Sequence, residues 1–191
     1  MRLAFLILVL IAPTSLSAQA ANRHSRFGAF FGAGVELAGI RDYGAFDPGP
    51  AFQAGLTFQP TSSRLGARLE ASLASRHHTD PSFSGSMHFA GLHLDGTFAL
   101  RTGRTQPYLL AGLGVDATYS GSSYGGYVLP ELGGTGQVTS QNQTSLSGRV
   151  GIGIQRRLGG PWFFVEVKLQ GYTSARTARP TLLPLTLGLR F

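Results

Sequence analysis

The chain has no cysteine and one lysine, Lys168, and Asp, Glu, Lys and Arg together make up only 13% of its 191 residues. Without cysteine there is neither a disulfide framework nor a thiolate metal site. Charge at about half the ~25% of an ordinary soluble domain leaves little to cover a water-facing surface, which points to a non-aqueous neighbour. Long apolar runs are also missing. The longest, LAFLILVLIA at residues 3–12, falls well short of the ~20 residues that a membrane-spanning helix needs. A helix-period pattern is nowhere sustained, and a phosphate-loop context, strand into glycine-rich turn into helix, is absent around the glycine clusters such as GLGVD. The formal charge of +7 comes from arginines scattered along the chain without a single basic stripe, which argues against nucleic-acid binding.

What is present begins with Arg2, the apolar run to Ala12, and the polar stretch PTSLSAQA with Ala18 and Ala20 spaced for cleavage. That order predicts a secretory signal peptide over residues 1–20 and a mature single domain over 21–191. Beyond it, apolar and small or polar residues alternate with a period of two in eight stretches, at 27–38, 52–58, 65–73, 87–100, 108–119, 146–155, 162–172 and 181–191. Most are close to the ~9–11 residues with which a tilted strand crosses hydrocarbon. The connections alternate too. Short turns are expected at QPTSSR (59–64), RTGRTQ (101–106) and RRLGGP (156–161), and longer loops at 39–51, 74–86, 120–145 and 173–180.

Sorting each stretch by parity separates greasy from charged positions. One parity carries sets such as Phe52, Ala54, Leu56, Phe58 and Leu183, Leu185, Leu187, Leu189, Phe191; the other carries Glu36, Arg68, Glu70, Asp95, Asp116, Arg149, Glu166, Lys168 and Arg190. A bilayer demands that separation, since a lipid-facing Arg or Lys at mid-membrane costs about 2–4 kcal/mol. A soluble lipocalin-like barrel, apolar inside and wet outside, is the rival. The polar parity is nevertheless mostly Gly, Ser, Thr, Gln and Ala, which suits a narrow interior better than a wet exterior. Backbone groups in hydrocarbon must all be paired, so spanning strands have to close on themselves. The predicted fold is all-β, an eight-stranded antiparallel up-and-down transmembrane β-barrel. Phe27, Phe58, Phe98, Tyr108, Trp162, Phe163 and Phe191 are expected to form an aromatic girdle at the short-turn end, with Phe52, Tyr119 and Tyr172 in a thinner one opposite. Pro184 removes a ladder donor, so a bulge, a local water or a strand regular only from Leu185 is expected there.

With its N-terminal leader, eight alternating strands and a final LTLGLRF, the chain resembles the small Gram-negative outer-membrane β-barrel proteins, a family that includes the membrane domain of outer-membrane protein A and the outer-membrane protein X and opacity-protein groups. The resemblance implies residence in an outer membrane, contact with outer-membrane lipid and lipopolysaccharide, and insertion by the barrel-assembly machinery, which would read the terminal Phe191. It also implies long loops that can carry a surface ligand. An appended peptidoglycan-binding domain, found in two-domain members, is not expected.

Three constellations bear on chemistry. Glu36, Arg68, Glu70, His93, Asp95, Asp116, Arg149, Glu166, Lys168 and Arg190 are expected to pair and fill the lumen, since an eight-stranded barrel is just wide enough for side chains; a narrow ion or small-solute channel through them is the alternative. SRHHTD at 75–80 brings His77, His78 and Asp80 together, but adjacent histidines diverge and no metal site or cofactor is assigned. Lipid A-modifying enzymes exist in the resembled family, yet the His-x-Ser string of its deacylases is missing, as Met87-His88-Phe89-Ala90 and Leu92-His93-Leu94-Asp95 show. No catalytic residue is therefore assigned, and a structural, adhesive or surface-interaction role is expected. Arg41, Arg76, Arg176 and Arg179 are placed in outer loops, where they could grip lipopolysaccharide phosphates.

Overall fold

Residues 27–38, 47–60, 63–77, 83–124, 138–173 and 182–191 are described by the structure, a computed structural model. Period-two alternation becomes eight strands: β1 (Phe27–Ala38), β2 (Gly49–Phe58), β3 (Leu65–His77), β4 (Phe83–Ala99), β5 (Thr105–Tyr124), β6 (Val138–Arg157), β7 (Trp162–Tyr172) and β8 (Leu182–Arg190). Each pairs antiparallel with its sequence neighbours, and β8 pairs back onto β1 from Phe30–Arg190 to Ala38–Leu182, closing the barrel. Closure leaves no sheet edge facing lipid. The short connections lie at 59–64, 100–104 and 158–161; Gly103 (φ 138°) and Gly159 (φ 71°) supply the left-handed backbone that two of these turns need.

The alternation decides which solvent each face meets. Leu56, Leu65, Leu94, Leu113, Leu146, Ile152 and Leu187 are all more than half exposed, while Glu70, Arg76, His93, Asp95 and Glu166 retain at most 1% of their surface. Leaving one such Leu or Ile in water forgoes about 1.5–3 kcal/mol of burial, so only a hydrocarbon environment accommodates the outer face. The lipocalin-like alternative has the reverse arrangement and is excluded.

β1 and β7 have the bounds expected from sequence, whereas β3 runs four residues further, β4 starts at Phe83, and β5 and β6 reach 20 residues each. The Ser-, Gly- and Gln-rich arms of β5 and β6 lie beyond the apolar band, where both faces can be polar and no alternation marks a strand. Pro184 introduces no bulge. The β1–β8 ladder runs unbroken through Glu36–Pro184, but the β7–β8 ladder goes from Val167–Leu185 directly to Gln170–Leu182 in the same register. The imino residue thus costs β7 two rungs rather than an inserted residue.

The aromatic girdle needs correction. Phe27, Phe31, Phe98 and Phe191 are outward and exposed, and Phe27 pairs with Phe58 at 5.0 Å between ring centres. Tyr108 and Tyr172, however, are buried on the inward parity, and Trp162 shares the inward parity of Phe164 and Glu166. Strand parity outranks the interfacial preference of the ring here, because the tyrosine hydroxyls find interior partners.

Candidate functional site

Interior side chains come from alternate positions of every strand, and the largest of them stand opposite glycines. On the β4–β5 ladder Asp95 and His93 face Gly112 and Gly114; on β6–β7, Lys168 and Glu166 face Gly151 and Gly153. A Cβ on Gly112 would overlap the Asp95 carboxylate, and one on Gly114 the His93 ring. The glycine alternation of GLGVD and GIGIQ therefore makes room for charge.

Six of those charges form one layer across the barrel. Arg68 on β3 reaches Asp95 Oδ2 with Nε (3.0 Å), Glu166 Oε2 with Nη1 (2.8 Å) and Glu70 Oε2 with Nη2 (3.1 Å). Arg149 on β6 donates Nε and Nη2 to the two oxygens of Asp95 (2.7 and 2.6 Å) and Nη1 to Glu70 Oε1 (2.8 Å). Lys168 on β7 lies 2.6 Å from Glu70 Oε1 and 2.9 Å from Glu166 Oε1, and also donates to Gln53 Oε1. Gln53 Nε2 and the Tyr108 hydroxyl donate to Glu166 at 3.0 and 2.7 Å. Three cations meet three carboxylates, so the layer is neutral, and the bidentate Arg149–Asp95 fork is the geometry in which a buried pair best offsets its desolvation.

On the long-loop side of this layer, Arg76 Nη2 donates to Glu36 Oε1 (3.0 Å) and to the Leu37 carbonyl (2.6 Å), with its guanidinium 5.7 Å from the Phe89 ring centre. His93 Nε2 lies 3.1 Å from Asp116 Oδ2 and 3.2 Å from Ser147 Oγ. On the short-turn side, Arg190 joins no ion pair of the lumen among the described residues; its guanidinium sits 5.6 Å from the Trp162 ring centre. Two cavities of about 30 Å³ flank the layer without sharing a lining residue, one bounded by Arg68, Tyr108, Gln155 and Arg190, the other by Glu36, Glu70, Asp116, Arg149 and Lys168. Each has room for water molecules, and the charge layer lies between them.

The ten residues singled out from sequence thus divide. Arg68, Glu70, Asp95, Arg149, Glu166 and Lys168 share one network; Glu36 pairs with Arg76; His93 pairs with Asp116; Arg190 stands apart at the rim. The placement of Arg76 in an outer loop is overturned, since it is a buried β3 residue. Its signal was the parity of Arg68, Glu70, Ser72 and Ala74 continued two residues further, hidden because the outward residues become polar there. Gln53, Tyr108 and Ser147 were missed as neutral members of the same inward rows. Of SRHHTD, His77 is the exposed last residue of β3, and His78 and Asp80 lie outside the described residues, as do Arg41, Arg176 and Arg179.

Ser147, His93 and Asp116 invite comparison with a hydrolytic triad, but their geometry differs from one. Serine and carboxylate both meet Nε2, whereas a relay places them on opposite ring nitrogens. His93 Nδ1 has no partner among the described residues, and all three side chains face the lumen, away from lipid.

No curated protein matches the chain. Among solved structures, Neisserial surface protein A superposes with a TM-score of 0.60 at 16% identity, covering 87% of this chain and 96% of that one. Ail, the attachment invasion locus protein of Yersinia pestis, gives 0.53 at 15% identity, covering 86% and 97%. The outer membrane enzyme PagL gives 0.50 at 16% identity, covering 85% and 98%. At such identities these likenesses speak for the fold alone. The family model for the outer membrane protein beta-barrel domain matches residues 6–191, in agreement with the closed barrel. The chain belongs to the outer-membrane protein β-barrel domain family and resides in a Gram-negative outer membrane.

Proposed function

We infer that the protein is a sealed, non-enzymatic scaffold that holds surface segments at the outer face of the membrane for contact with a ligand there. The observation that carries this reading is the neutral layer of Arg68, Arg149, Lys168, Glu70, Asp95 and Glu166, in which every charged side chain has at least two partners of opposite sign. A conducting path would have to part several charge-assisted bonds at once. The PagL fold shows that an eight-stranded barrel can host catalysis, but the one serine–histidine–carboxylate contact among the described residues is enclosed in the lumen, out of reach of a lipid acyl chain. That Ail, an attachment protein by its name, shares the architecture is in keeping with a surface role. Insertion by the barrel-assembly machinery through Phe191 is part of the same reading.

Two measurements test it. Pure refolded protein in planar bilayers should give no discrete conductance steps, and its expression in a Gram-negative host should leave the mass of lipid A unchanged. Reproducible channels would replace the scaffold reading with a pore, and a shifted lipid A mass with an enzyme.

A further inference from the structure

The acidic and basic residues are distributed unevenly along the barrel axis. All nine Asp and Glu fall either on inward strand positions (Glu36, Glu70, Asp95, Asp116, Glu166) or in the long-loop stretches (Asp42, Asp47, Asp80, Glu131). In both places they equal or slightly outnumber the bases. The three short turns and the strand ends that enter them hold Arg64, Arg101, Arg104, Arg156 and Arg157 and no acid. Most of the positive excess of residues 21–191 is therefore carried at one end.

These arginines form an arc. The Arg64 carbonyl accepts the Ala99 amide at 2.8 Å, which ties the β2–β3 turn to the end of β4 just before Arg101. The Arg104 carbonyl accepts the Arg157 amide at 2.9 Å, which ties the β4–β5 turn to the β6–β7 turn. Three consecutive turns are thus laced together by backbone bonds made at Arg64, Arg104 and Arg157 themselves and close beside Arg101 and Arg156. All five side chains are exposed, and among the described residues none forms an ion pair with a carboxylate. Arg156 has the outward parity of Ile152 and Ile154, so it points toward lipid just past the apolar band. Exposed Leu65, Leu100 and Leu158 and the rings of Phe98 and Phe191 mark the edge of that band beside the arc. Guanidinium groups just beyond the hydrocarbon boundary lie at headgroup depth, where their forked donors match phosphate oxygens. Short turns face the periplasm in bacterial outer-membrane barrels, and the leaflet there is phospholipid.

We propose that this arc is a docking collar for anionic glycerophospholipid headgroups of the periplasmic leaflet, with Arg101, Arg104, Arg156 and Arg157 holding the phosphates. The attraction scales as about fivefold per arginine near an anionic surface and is screened by salt. The collar, and not the outer loops, is then where the barrel selects its lipid.

The test uses the full barrel refolded in phosphatidylcholine vesicles that carry a trace of spin-labelled phosphatidylglycerol or spin-labelled phosphatidylcholine. Electron spin resonance reads the fraction of each label immobilised against the protein. Phosphatidylglycerol should be preferred by about twofold or more at low salt, and the preference should shrink in 1 M salt, where the screening length is about 3 Å. Arg101→Ser, Arg104→Ser, Arg156→Ser and Arg157→Ser together should abolish it. Arg41→Ser, Arg176→Ser and Arg179→Ser should leave it in place. Both variants are first shown to fold by their heat-modifiable migration; if the fourfold variant fails there, the pairs Arg101→Ser with Arg104→Ser and Arg156→Ser with Arg157→Ser, each lowering the preference, carry the test. Equal immobilisation of the two labels, or a preference that survives in the turn variants, overturns the proposal. So does a barrel indifferent to lipid charge that is retained through these arginines on purified peptidoglycan, the other polyanion of that compartment.

Discussion

At the scale of single residues the lumen obeys a strict electrostatic economy. Arg149 satisfies two oxygens of Asp95 and one of Glu70, so Arg149→Met leaves two carboxylates short of partners in a closed interior. The expected loss is about 3–5 kcal/mol, read as a lower urea midpoint for unfolding in detergent micelles. The Arg76–Glu36 pair is more self-contained, with one further bond to the Leu37 carbonyl. Arg76→Met should be strongly destabilising, and adding Glu36→Gln should recover a large part of that loss, a coupling that a double-mutant cycle measures directly. Much of this site was legible in the sequence because burial of charge follows parity, and parity is written in every strand. What escaped was partner choice. Nothing in the spacing of His93 and Asp95 says that the histidine turns to Asp116 on the next strand while Asp95 turns to Arg68 and Arg149, since that depends on the register between strands.

Elements answer a different question: how strands with large inward side chains fit a narrow tube. They do so by pairing bulk with absence of bulk, as Gly114 opposite His93 shows. Gly114→Val should therefore cut the yield of heat-modifiable barrel sharply, while Gly96→Val on the preceding strand, whose added Cβ would meet only the Ala111 carbonyl at 3.8 Å, should fold close to normally. Phe191, just past β8, fastens the closing seam. Phe191 donates its amide to the Ala29 carbonyl at 2.9 Å and stacks on Phe31 at 6.0 Å across the closing seam, yet its side chain stays 62% exposed. Its deletion should lower the amount of barrel inserted in cells much more than it lowers the unfolding midpoint of barrel already folded, a contrast seen by comparing membrane-fraction yield with denaturation of the purified protein. Strand bounds were readable only inside the apolar band, where β1 and β7 agree with expectation, and not for β5 and β6, whose outer arms offer no greasy face to count.

On the scale of the whole molecule, the two solvents are reversed relative to a soluble protein. Strand parity separates the two faces in the sequence, and the small, charge-poor composition of the polar parity is what says that this face turns inward. Closure in sequential order follows from the even strand number and the need to pair every backbone group. The role of the molecule follows far less directly, since the same architecture serves an attachment protein and an enzyme; conductance tests the pore reading and the mass of lipid A the enzyme reading.

The arginine arc also bears on sidedness. To turn over in the membrane the barrel would have to drag five exposed guanidinium groups through hydrocarbon, at about 2–4 kcal/mol apiece near the midplane, a barrier that rules out spontaneous inversion. A barrel threaded into a vesicle therefore stays oriented as it entered, arginine end last. Because trypsin cuts after arginine, the population inserted from outside should be nicked at the short turns by external protease and spared there by protease trapped within.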